Sequence, residues 1–172
     1  MKTIILYLTT DGQTRRIAEH LAQEIGDCQL LSLRDQAVVS ATDFAQFDQI
    51  IIGASIRYGR FSPLLEQFIR QHSALLNQKK SAFFSVNLTA RKSNRNTPET
   101  NTYTRKLLAR ITWQPQNVAV FAGALLYPRY SFFDRMMIRF IMKITGGETD
   151  TTREFEFTDW QKVSEFAHLL KA

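Results

Sequence analysis

The stretch that decides the fold is TIILYLTTDGQT at residues 3–14, where an apolar run passes directly into a threonine- and glycine-rich turn. The run Thr3–Leu8 lacks strict polar alternation, which is typical of a strand buried on both faces of a parallel sheet. An apolar stripe at Arg15–Ile25 then predicts a helix. The junction of such a strand with a helix N-terminus is an anion site, because free backbone N–H groups and the helix dipole face the ligand.

The turn is rich in threonine and has no lysine, unlike the phosphate-binding loop of proteins that bind nucleoside triphosphates. We expect Thr9, Thr10 and Thr14 to donate hydrogen bonds to phosphate oxygens, and Gly12 to allow a backbone geometry that a side chain would obstruct. The triphosphate loop requires Gly-Lys-Ser/Thr and the dinucleotide fingerprint requires three spaced glycines, and the turn has neither. The sequence therefore predicts a pocket for a phosphate monoester.

The rest of the chain alternates apolar runs with helical stripes. Further strands are expected at Gln29–Leu33, Ile50–Ala54, Ala82–Val86 and Val118–Leu125. Helices are expected at Pro63–Leu76 after a Ser62 cap, at Pro98–Ile111 after a Thr97 cap, and at Trp160–Leu170 after a capping box of Thr158 and Gln161. Residues 37–47 form a less regular crossover. Strands that alternate with helices predict an α/β fold with a doubly wound parallel sheet, in one domain that spans residues 1–172.

One segment, Tyr127–Gly147, does not fit this alternation, and we interpret it as an insertion that splits or follows the last strand, since Arg153–Thr158 alternates as a strand again. Within it, Ser131–Ile144 predicts an amphipathic helix with a Phe-, Met- and Ile-rich arc and a basic stripe. At about 20 Å this helix is too short to cross a bilayer. The pattern suits a membrane interface, a wall for a flat apolar ligand with carboxylates, or a helix packed on the sheet with a solvated basic edge.

The amino-terminal motif resembles the signature of flavodoxin-like proteins. Every specified position is matched, by Ile5, Leu6, Tyr7, Thr9, Gly12, Thr14, Ala18 and Leu21. The resemblance implies a flavodoxin-like five-stranded sheet of order 2-1-3-4-5, with the loops after strands three and four beside the phosphate loop. In flavodoxin-like proteins these loops hold the ring of FMN, and Tyr58 is placed to stack on it. The FMN-binding residues implied are Thr9, Thr10, Asp11, Gly12, Gln13, Thr14, Ser55, Ile56, Arg57, Tyr58, Gly59, Ser85, Val86, Asn87 and Leu88.

The chain departs from the flavodoxin electron carriers in its charge and its insertion. The carriers are typically acidic, whereas this chain has 22 Lys and Arg against 16 Asp and Glu, a net charge of +6. Over essentially its whole length it is similar to the quinone-dependent protoporphyrinogen oxidases of bacterial haem synthesis. That similarity includes the segments TTDGQT, GASIRYG, YPRYSFFDRMMIRFIMKITGGETD and TDW.

This second resemblance implies FMN-dependent oxidation of protoporphyrinogen IX to protoporphyrin IX in three two-electron steps, with ubiquinone or menaquinone as acceptor. It places the redox chemistry at the flavin N5, so no side chain is assigned a catalytic role and no metal is expected. The insertion residues expected to contact the substrate or the membrane surface are Arg129, Arg135, Met136, Arg139, Phe140 and Lys143. Further candidates to bind the substrate propionates are Arg57, Arg60 and Arg91. Two alternatives stay open, a nicotinamide-fed quinone reductase and a non-enzymatic electron carrier.

Composition limits the other classes of function. The single cysteine, Cys28, excludes an internal disulfide and a Cys-rich metal site, and we expect it to be a small core residue. His20, His72 and His168 fall on predicted helices away from the cofactor edge, so no general base is identified. No apolar run suits a bilayer span or a secretory signal, and the basic residues lack the pattern of a nucleic-acid module. We therefore expect a cytoplasmic protein on the inner face of the cell membrane, with no nucleic-acid partner. The sequence leaves open the oligomeric state, including a homo-oligomer.

Overall fold

Strands that are apolar on both sides are stable only between two helical layers, and this requirement shapes the molecule. The computed structural model describes all residues from Met1 to Ala172. The strands are β1 (Thr3–Leu8), β2 (Cys28–Ser32), β3 (Gln49–Ser55), β4 (Lys80–Asn87), β5 (Asn117–Ala122), β6 (Ala124–Leu126) and β7 (Glu154–Glu156). The helices are α1 (Gln13–Ile25), α2 (Gln36–Ala41), α3 (Pro63–Gln78), α4 (Thr102–Arg110), α5 (Phe132–Thr145) and α6 (Trp160–Lys171). Short 3-10 turns lie at Phe44–Gln46, Leu88–Arg91, Ser93–Arg95 and Tyr127–Arg129.

Strands β1 to β5 form one parallel sheet of order β2-β1-β3-β4-β5, so the predicted fold class and strand order are confirmed. On one face Ile5 and Phe84 pack against α1 and α6. On the other face Ile52 and Phe83 pack against α3 and the segments around it. At Gly53, between these layers, an added Cβ would lie 1.9 Å from the ring of Phe84. Since both faces are covered, the carboxyl ends of β1, β3 and β4 are left to form a site where the strand order reverses.

The predicted strand Val118–Leu125 is wrong as one element, because Gly123 divides it into β5 and β6. The Gly123 N–H still donates to the Asn87 carbonyl at 3.2 Å, but its own carbonyl accepts from the N–H of Phe157 at 3.0 Å. Strand β6 leaves the parallel sheet and pairs antiparallel with β7. The insertion helix α5 lies between these two strands in the chain, and its Ile138 and Met142 join a small core on them.

The predicted start of α4 is wrong and so are the predicted caps of α4 and α6, whereas α6 begins at Trp160 as predicted. Helix α4 begins after Asn101, whose side-chain oxygen accepts from the Thr104 N–H at 3.2 Å. Thr97 instead starts a separate turn, in which its carbonyl accepts from the Asn101 N–H at 2.8 Å. Helix α6 is capped by Asp159 and not by Thr158. The Thr158 hydroxyl is engaged in the interior instead, where it donates to the Ala122 carbonyl at 2.7 Å and accepts from Gln13 Nε2 at 3.0 Å.

Strand β2 starts one residue before the predicted segment, at Cys28. Cys28 is half-buried beside the core and is not enclosed by it, so its placement as a core residue was wrong. Burial raises the pKa of its thiol to about 11, which leaves it in the unreactive protonated form at neutral pH.

Candidate functional site

The turn between β1 and α1 has the shape of an anion-binding loop. Gly12 has a φ of 98°, a left-handed conformation that favours glycine. Its N–H donates to the Thr9 hydroxyl at 2.9 Å, and this bond closes the turn. Gln13 and Thr14 follow as the first residues of α1. The first helical turn has no acidic side chain that would repel an anion or compete with it for the backbone N–H groups.

Hydrogen-bonding groups without a partner in the protein lie in this loop. The Thr14 hydroxyl is buried and bonds to nothing in the molecule. The backbone N–H groups of Gln13, Thr14 and Arg15 likewise have no protein acceptor. Buried polar groups in native proteins are almost always bonded, so the loop has the donor set that a phosphate monoester requires. This observation fits the phosphate-bearing tail of a flavin nucleotide.

The loop after β3 makes a tight turn beside the phosphate loop. Arg57 and Arg60 exchange two backbone hydrogen bonds of 3.0 and 3.1 Å. The two central residues, Tyr58 and Gly59, have φ values of 51° and 73°, as a type I′ turn requires. A tyrosine rarely adopts this conformation, and Tyr58 is the only non-glycine residue in the chain that does so. The strained backbone places its ring at the mouth of the cleft.

Arg57 ties this turn to the phosphate loop and to the insertion. Its guanidinium forms an ion pair with Asp11 of the phosphate loop, and its Nη1 lies 3.7 Å from Oδ2 of Asp134 at the start of α5. Burial is the largest single influence and lowers the pKa of Arg57, but the charge and hydrogen bond of Asp11, together with Tyr130 and Asp134, raise the pKa overall. The pair with Asp11 also offsets a negative charge that would otherwise repel phosphate from the loop.

Tyr58 adds a second link to α5, because its hydroxyl donates to the Asp134 carboxylate. This hydrogen bond from Tyr58 is the main influence that lowers the pKa of Asp134. Burial and the same bond raise the pKa of Tyr58, so the phenol is neutral and the carboxylate is charged at neutral pH. The ring of Tyr130, just before α5, lies 5.1 Å from the Arg57 guanidinium. The first turn of the insertion helix is thus held to the third-strand loop.

The loop after β4 is fixed by a buried amide network. The side-chain oxygen of Asn87 accepts from the Ala90 N–H at 3.1 Å and from Asn101 Nδ2 at 3.0 Å. Its own Nδ2 donates to the Ser85 hydroxyl at 3.0 Å. Thr89 donates to the same Asn87 oxygen at 2.7 Å. Since every member is bonded, the network holds the Leu88 segment rigidly against the cleft.

The three loops and the insertion enclose one cleft of about 600 Å³, within the range of small-molecule sites. The insertion wall is apolar on its cleft side, and other lining residues come from the loop after β4 and from α4. The residues beyond the three predicted loops that line it are Thr89, Arg91, Lys92, Tyr103, Gly123, Ala124, Tyr130, Met137, Ile138, Ile141, Met142 and Thr145. A flat apolar ligand would therefore meet protein on both sides.

All the residues assigned to FMN line this cleft except Gly12 and Ser85. Gly12 shapes the turn through its backbone, and Ser85 is fully buried behind Asn87. For these two residues we therefore predict an indirect role, in which they support the residues that contact the cofactor. The other thirteen residues line the cleft. The three histidines lie on α1, α3 and α6 and none reaches the cleft.

The insertion residues predicted to contact substrate or membrane lie outside the cleft. Arg129 pairs with Glu154 at 2.8 Å. Arg135 donates to the carbonyls of Tyr127 and Tyr130 at 3.3 and 3.4 Å, so its guanidinium is used within the insertion. The other four, Met136, Arg139, Phe140 and Lys143, are exposed to solvent. Residue spacing predicts the amphipathic helix but not its orientation, which depends on the core formed with β6 and β7.

Several residues that line the cleft were not identified from the sequence as site residues. Tyr103 and Tyr130 reach the cleft from α4 and from the insertion. Neither carries a spacing signal, because each is brought to the cleft by tertiary packing. Lys92 could have been found from its place four residues after Leu88 in the loop that follows a predicted strand.

Comparisons with known proteins agree with this geometry. A family model described as a flavodoxin domain matches residues 4–152. A Leishmania major protein named protoporphyrinogen IX dehydrogenase (quinone) is 49% identical over 96% of this chain and 73% of its own length. The Escherichia coli K12 protein of the same name is 47% identical over 97% of this chain and 93% of its own length. The chain belongs to the protoporphyrinogen IX dehydrogenase (quinone) family of flavodoxin-domain proteins. It is therefore an oxidoreductase, and the flavodoxin domain implies a flavin cofactor.

Solved structures support the fold. An archaeal flavodoxin has a TM-score of 0.55 and 16% identity, covering 99% of this chain and 96% of its own. Oxidised flavodoxin 1 from Bacillus cereus has a TM-score of 0.53 and 14% identity, covering 99% and 97%. At these identities the likeness concerns the arrangement of strands and helices alone.

Proposed function

We propose that this chain oxidises protoporphyrinogen IX to protoporphyrin IX in three two-electron steps and passes the electrons to a membrane quinone. The observation that carries the proposal is the cleft, in which the loops after β1, β3 and β4 face an apolar helix that is an addition to the parallel sheet. A carrier protein that only docks with other proteins needs no such wall. Family membership supports the same reaction.

FMN is the cofactor that we propose, because a single phosphate monoester suits the phosphate loop. The free donors of Gln13, Thr14 and Arg15 would hold the phosphate. The Tyr58 turn and the Leu88 segment would hold the ring from its two sides. When bound, FMN supplies the two-electron redox chemistry.

The protein's own part is to orient the tetrapyrrole and to exclude water. Met137, Ile141 and Met142 offer flexible apolar surface to a non-planar macrocycle, since methionine adapts to irregular shapes. Tyr58 lines the same cleft, and its hydroxyl donates to the carboxylate of Asp134, which lies next to the cleft and outside its lining. The mobile pyrrole protons can leave through this polar edge to solvent, because Asp134 is charged and partly exposed.

The decisive experiment mixes the purified, FMN-loaded protein with protoporphyrinogen IX and a quinone under anaerobic conditions and follows porphyrin fluorescence. We expect quinone-dependent formation of protoporphyrin with no added nicotinamide. Turnover of NADPH with quinone, without porphyrin formation, would support a nicotinamide-fed reductase instead. Comparison of ubiquinone and menaquinone in the same assay identifies the preferred acceptor.

We also propose that the outer face of α5 contacts the inner surface of the cell membrane, where the quinone is dissolved. Phe132, Phe133 and Phe140 are 75%, 68% and 60% exposed, an unusual number of aromatic side chains in water on one helix. Arg139 and Lys143 are exposed beside them and suit anionic headgroups. No helix of the chain combines the length and hydrophobicity needed to cross a bilayer.

Sedimentation with anionic vesicles tests this contact. We expect Phe133→Ser/Phe140→Ser to lose most vesicle binding while FMN binding is unchanged. The matched control is Leu169→Ser, which removes an apolar side chain that is 55% exposed on α6. Equal vesicle binding by the double variant and the control would exclude the outer face of α5 as the membrane contact.

A further inference from the structure

Positive charge without a carboxylate partner is concentrated at the end of the cleft formed by the loop after β4. Arg91 and Lys92 both line the cleft. Neither has an acidic oxygen within 4.0 Å. The chain as a whole has a net charge of +6, and these two cations line the same cleft, where like charges raise the local concentration of an anionic ligand.

The other arginines considered for the substrate carboxylates are used elsewhere or face away. Arg57 is held by Asp11 and Asp134, and Arg129 by Glu154. The remaining candidates that do not line the cleft are Arg60, Arg135 and Arg139. Arg91 is therefore the one candidate arginine that lines the cleft and lacks a carboxylate partner, and Lys92 is its neighbour.

Arg91 is also held in one orientation before any ligand arrives. Its Nη1 donates to the Leu88 carbonyl at 2.8 Å, and its Nη2 lies 3.5 Å from the Thr145 hydroxyl at the end of α5. Gly147 leaves room for this placement, because a Cβ there would lie 3.1 Å from Arg91 Nη2 and 2.5 Å from Met142 Sδ. A guanidinium that is already ordered loses less entropy when it binds a carboxylate.

We propose that Arg91 and Lys92 form the subsite for the substrate's carboxylates, which deepens the proposed function and rests on it. Protoporphyrinogen IX carries two propionates on neighbouring pyrrole rings, and two adjacent cations match that pair. Ile141 and Met142 line the cleft with Arg91, so the apolar macrocycle would lie on α5 while its propionates face the loop. The pairing fixes which edge of the macrocycle enters the cleft and is thus a determinant of specificity.

The test measures binding of a redox-stable product, so that it does not depend on turnover. FMN-loaded protein is titrated with protoporphyrin IX and, separately, with its dimethyl ester, which has the same ring but no charge. We expect the wild type to prefer the diacid. Arg91→Gln/Lys92→Gln should weaken diacid binding by about 10- to 100-fold, the usual contribution of hydrogen bonds to charged groups, and leave ester binding unchanged.

The matched control is Arg105→Gln/Lys106→Gln, an adjacent Arg–Lys pair that is exposed on α4 and outside the cleft. It removes the same charge and should leave the affinity for the diacid and its preference over the ester unchanged. FMN affinity and the melting temperature of both double variants report whether they fold. In the oxidation assay the Arg91/Lys92 variant should show a raised KM with kcat much less affected, because it loses binding in the ground state.

The outcomes separate this subsite from the proposed function. Oxidation of the substrate by the wild type together with equal diacid affinity in both double variants would overturn the subsite and leave the function standing. Absence of oxidation together with a diacid preference lost only in Arg91→Gln/Lys92→Gln would overturn the function and leave the subsite standing. A wild type that does not distinguish the diacid from the ester overturns the subsite. The subsite is also overturned if Arg91→Gln/Lys92→Gln loses binding to anionic vesicles and keeps its affinity for the diacid, because the two cations would then bind lipid headgroups.

Discussion

Replacement of Thr14 by valine should have opposite effects on the free and the flavin-loaded protein. Valine keeps the shape of the side chain and removes its hydroxyl, which is buried without a partner when no cofactor is bound. A buried polar group without a hydrogen bond costs about 1–3 kcal/mol, so Thr14→Val should stabilise the free protein or leave it unchanged. In the loaded protein the same change removes a hydrogen bond to a charged phosphate, worth about 1.5–3 kcal/mol.

The magnitude of the effect on binding follows from these figures. A loss of about 2 kcal/mol weakens FMN binding roughly 30-fold. With FMN at 100 times the wild-type Kd, the cofactor stabilises the wild type by about 2.7 kcal/mol. The same FMN concentration would stabilise the variant by about 0.9 kcal/mol. The assay is urea unfolding with and without FMN, together with the Kd from quenching of flavin fluorescence.

Thr3→Val is the matched control, because Thr3 is as buried as Thr14 but its hydroxyl donates to Gln49 Oε1 at 3.3 Å. This control should lose about 1 kcal/mol of stability in both states and keep its FMN affinity. The reasoning is refuted if Thr14→Val destabilises the free protein as Thr3→Val does and binds FMN with an unchanged Kd. Thr14 would then be a packing residue, and the phosphate would be held by backbone alone.

Three further predictions concern the sheet, a histidine and the insertion. Gly53→Ala should lower the free energy of unfolding by about 1–3 kcal/mol or more in urea, because its Cβ would clash with Phe84, whereas Gly123→Ala, whose nearest atom is 3.4 Å away, should be nearly neutral. Burial lowers the pKa of His72, so the unfolded chain binds its proton more readily. Stability measured by urea unfolding should therefore fall as the pH drops below about 6.5, and His72→Gln should show a shallower fall. Asp134→Asn should loosen the first turn of α5 and speed its amide hydrogen exchange relative to α6, since the links to the third-strand loop weaken.

Each of these has a contrary result that would be clear. Equal urea midpoints for the two glycine variants would mean that the Phe84 ring moves without penalty. A pH slope unchanged in His72→Gln would assign the titration to other groups. Unaltered exchange in Asp134→Asn would show that the core on β6 and β7 holds α5 without its first-turn contacts.

The parallel sheet could be predicted from the sequence because its signal is repeated and local. Each central strand is a short apolar run without alternation, and the phosphate loop is a fixed pattern of types within ten residues. The errors arose where a side chain has a distant partner. Thr158 has the spacing of a cap, yet its hydroxyl is taken by the Ala122 carbonyl, and Asp159 caps the helix in its place. Asn101 starts α4 because it also serves the buried network around Asn87.

The orientation of α5 could not be predicted for a related reason. Nine of the fourteen residues from Ser131 to Ile144 are apolar, so several faces of the helix satisfy the pattern of an inward side. Packing against Leu125 and Tyr127 selects Ile138 and Met142 as that side. Sequence alone does not show which cations are neutralised by an acidic partner. The structure shows that Asp11 and Glu154 pair with other arginines, and this leaves Arg91 and Lys92 as the unpaired cations of the cleft.

The departure of the chain from the main sheet at Gly123 has a consequence for how such proteins diversify. All five parallel strands are already paired before the chain turns aside, so the appended ribbon and its helix can change in length or composition without unpairing any of them. Variation in this one connection would therefore change a wall of the cleft and leave the loops at the carboxyl ends of β1, β3 and β4 in place. A designer can use the same junction to exchange one substrate wall for another on an otherwise unaltered scaffold.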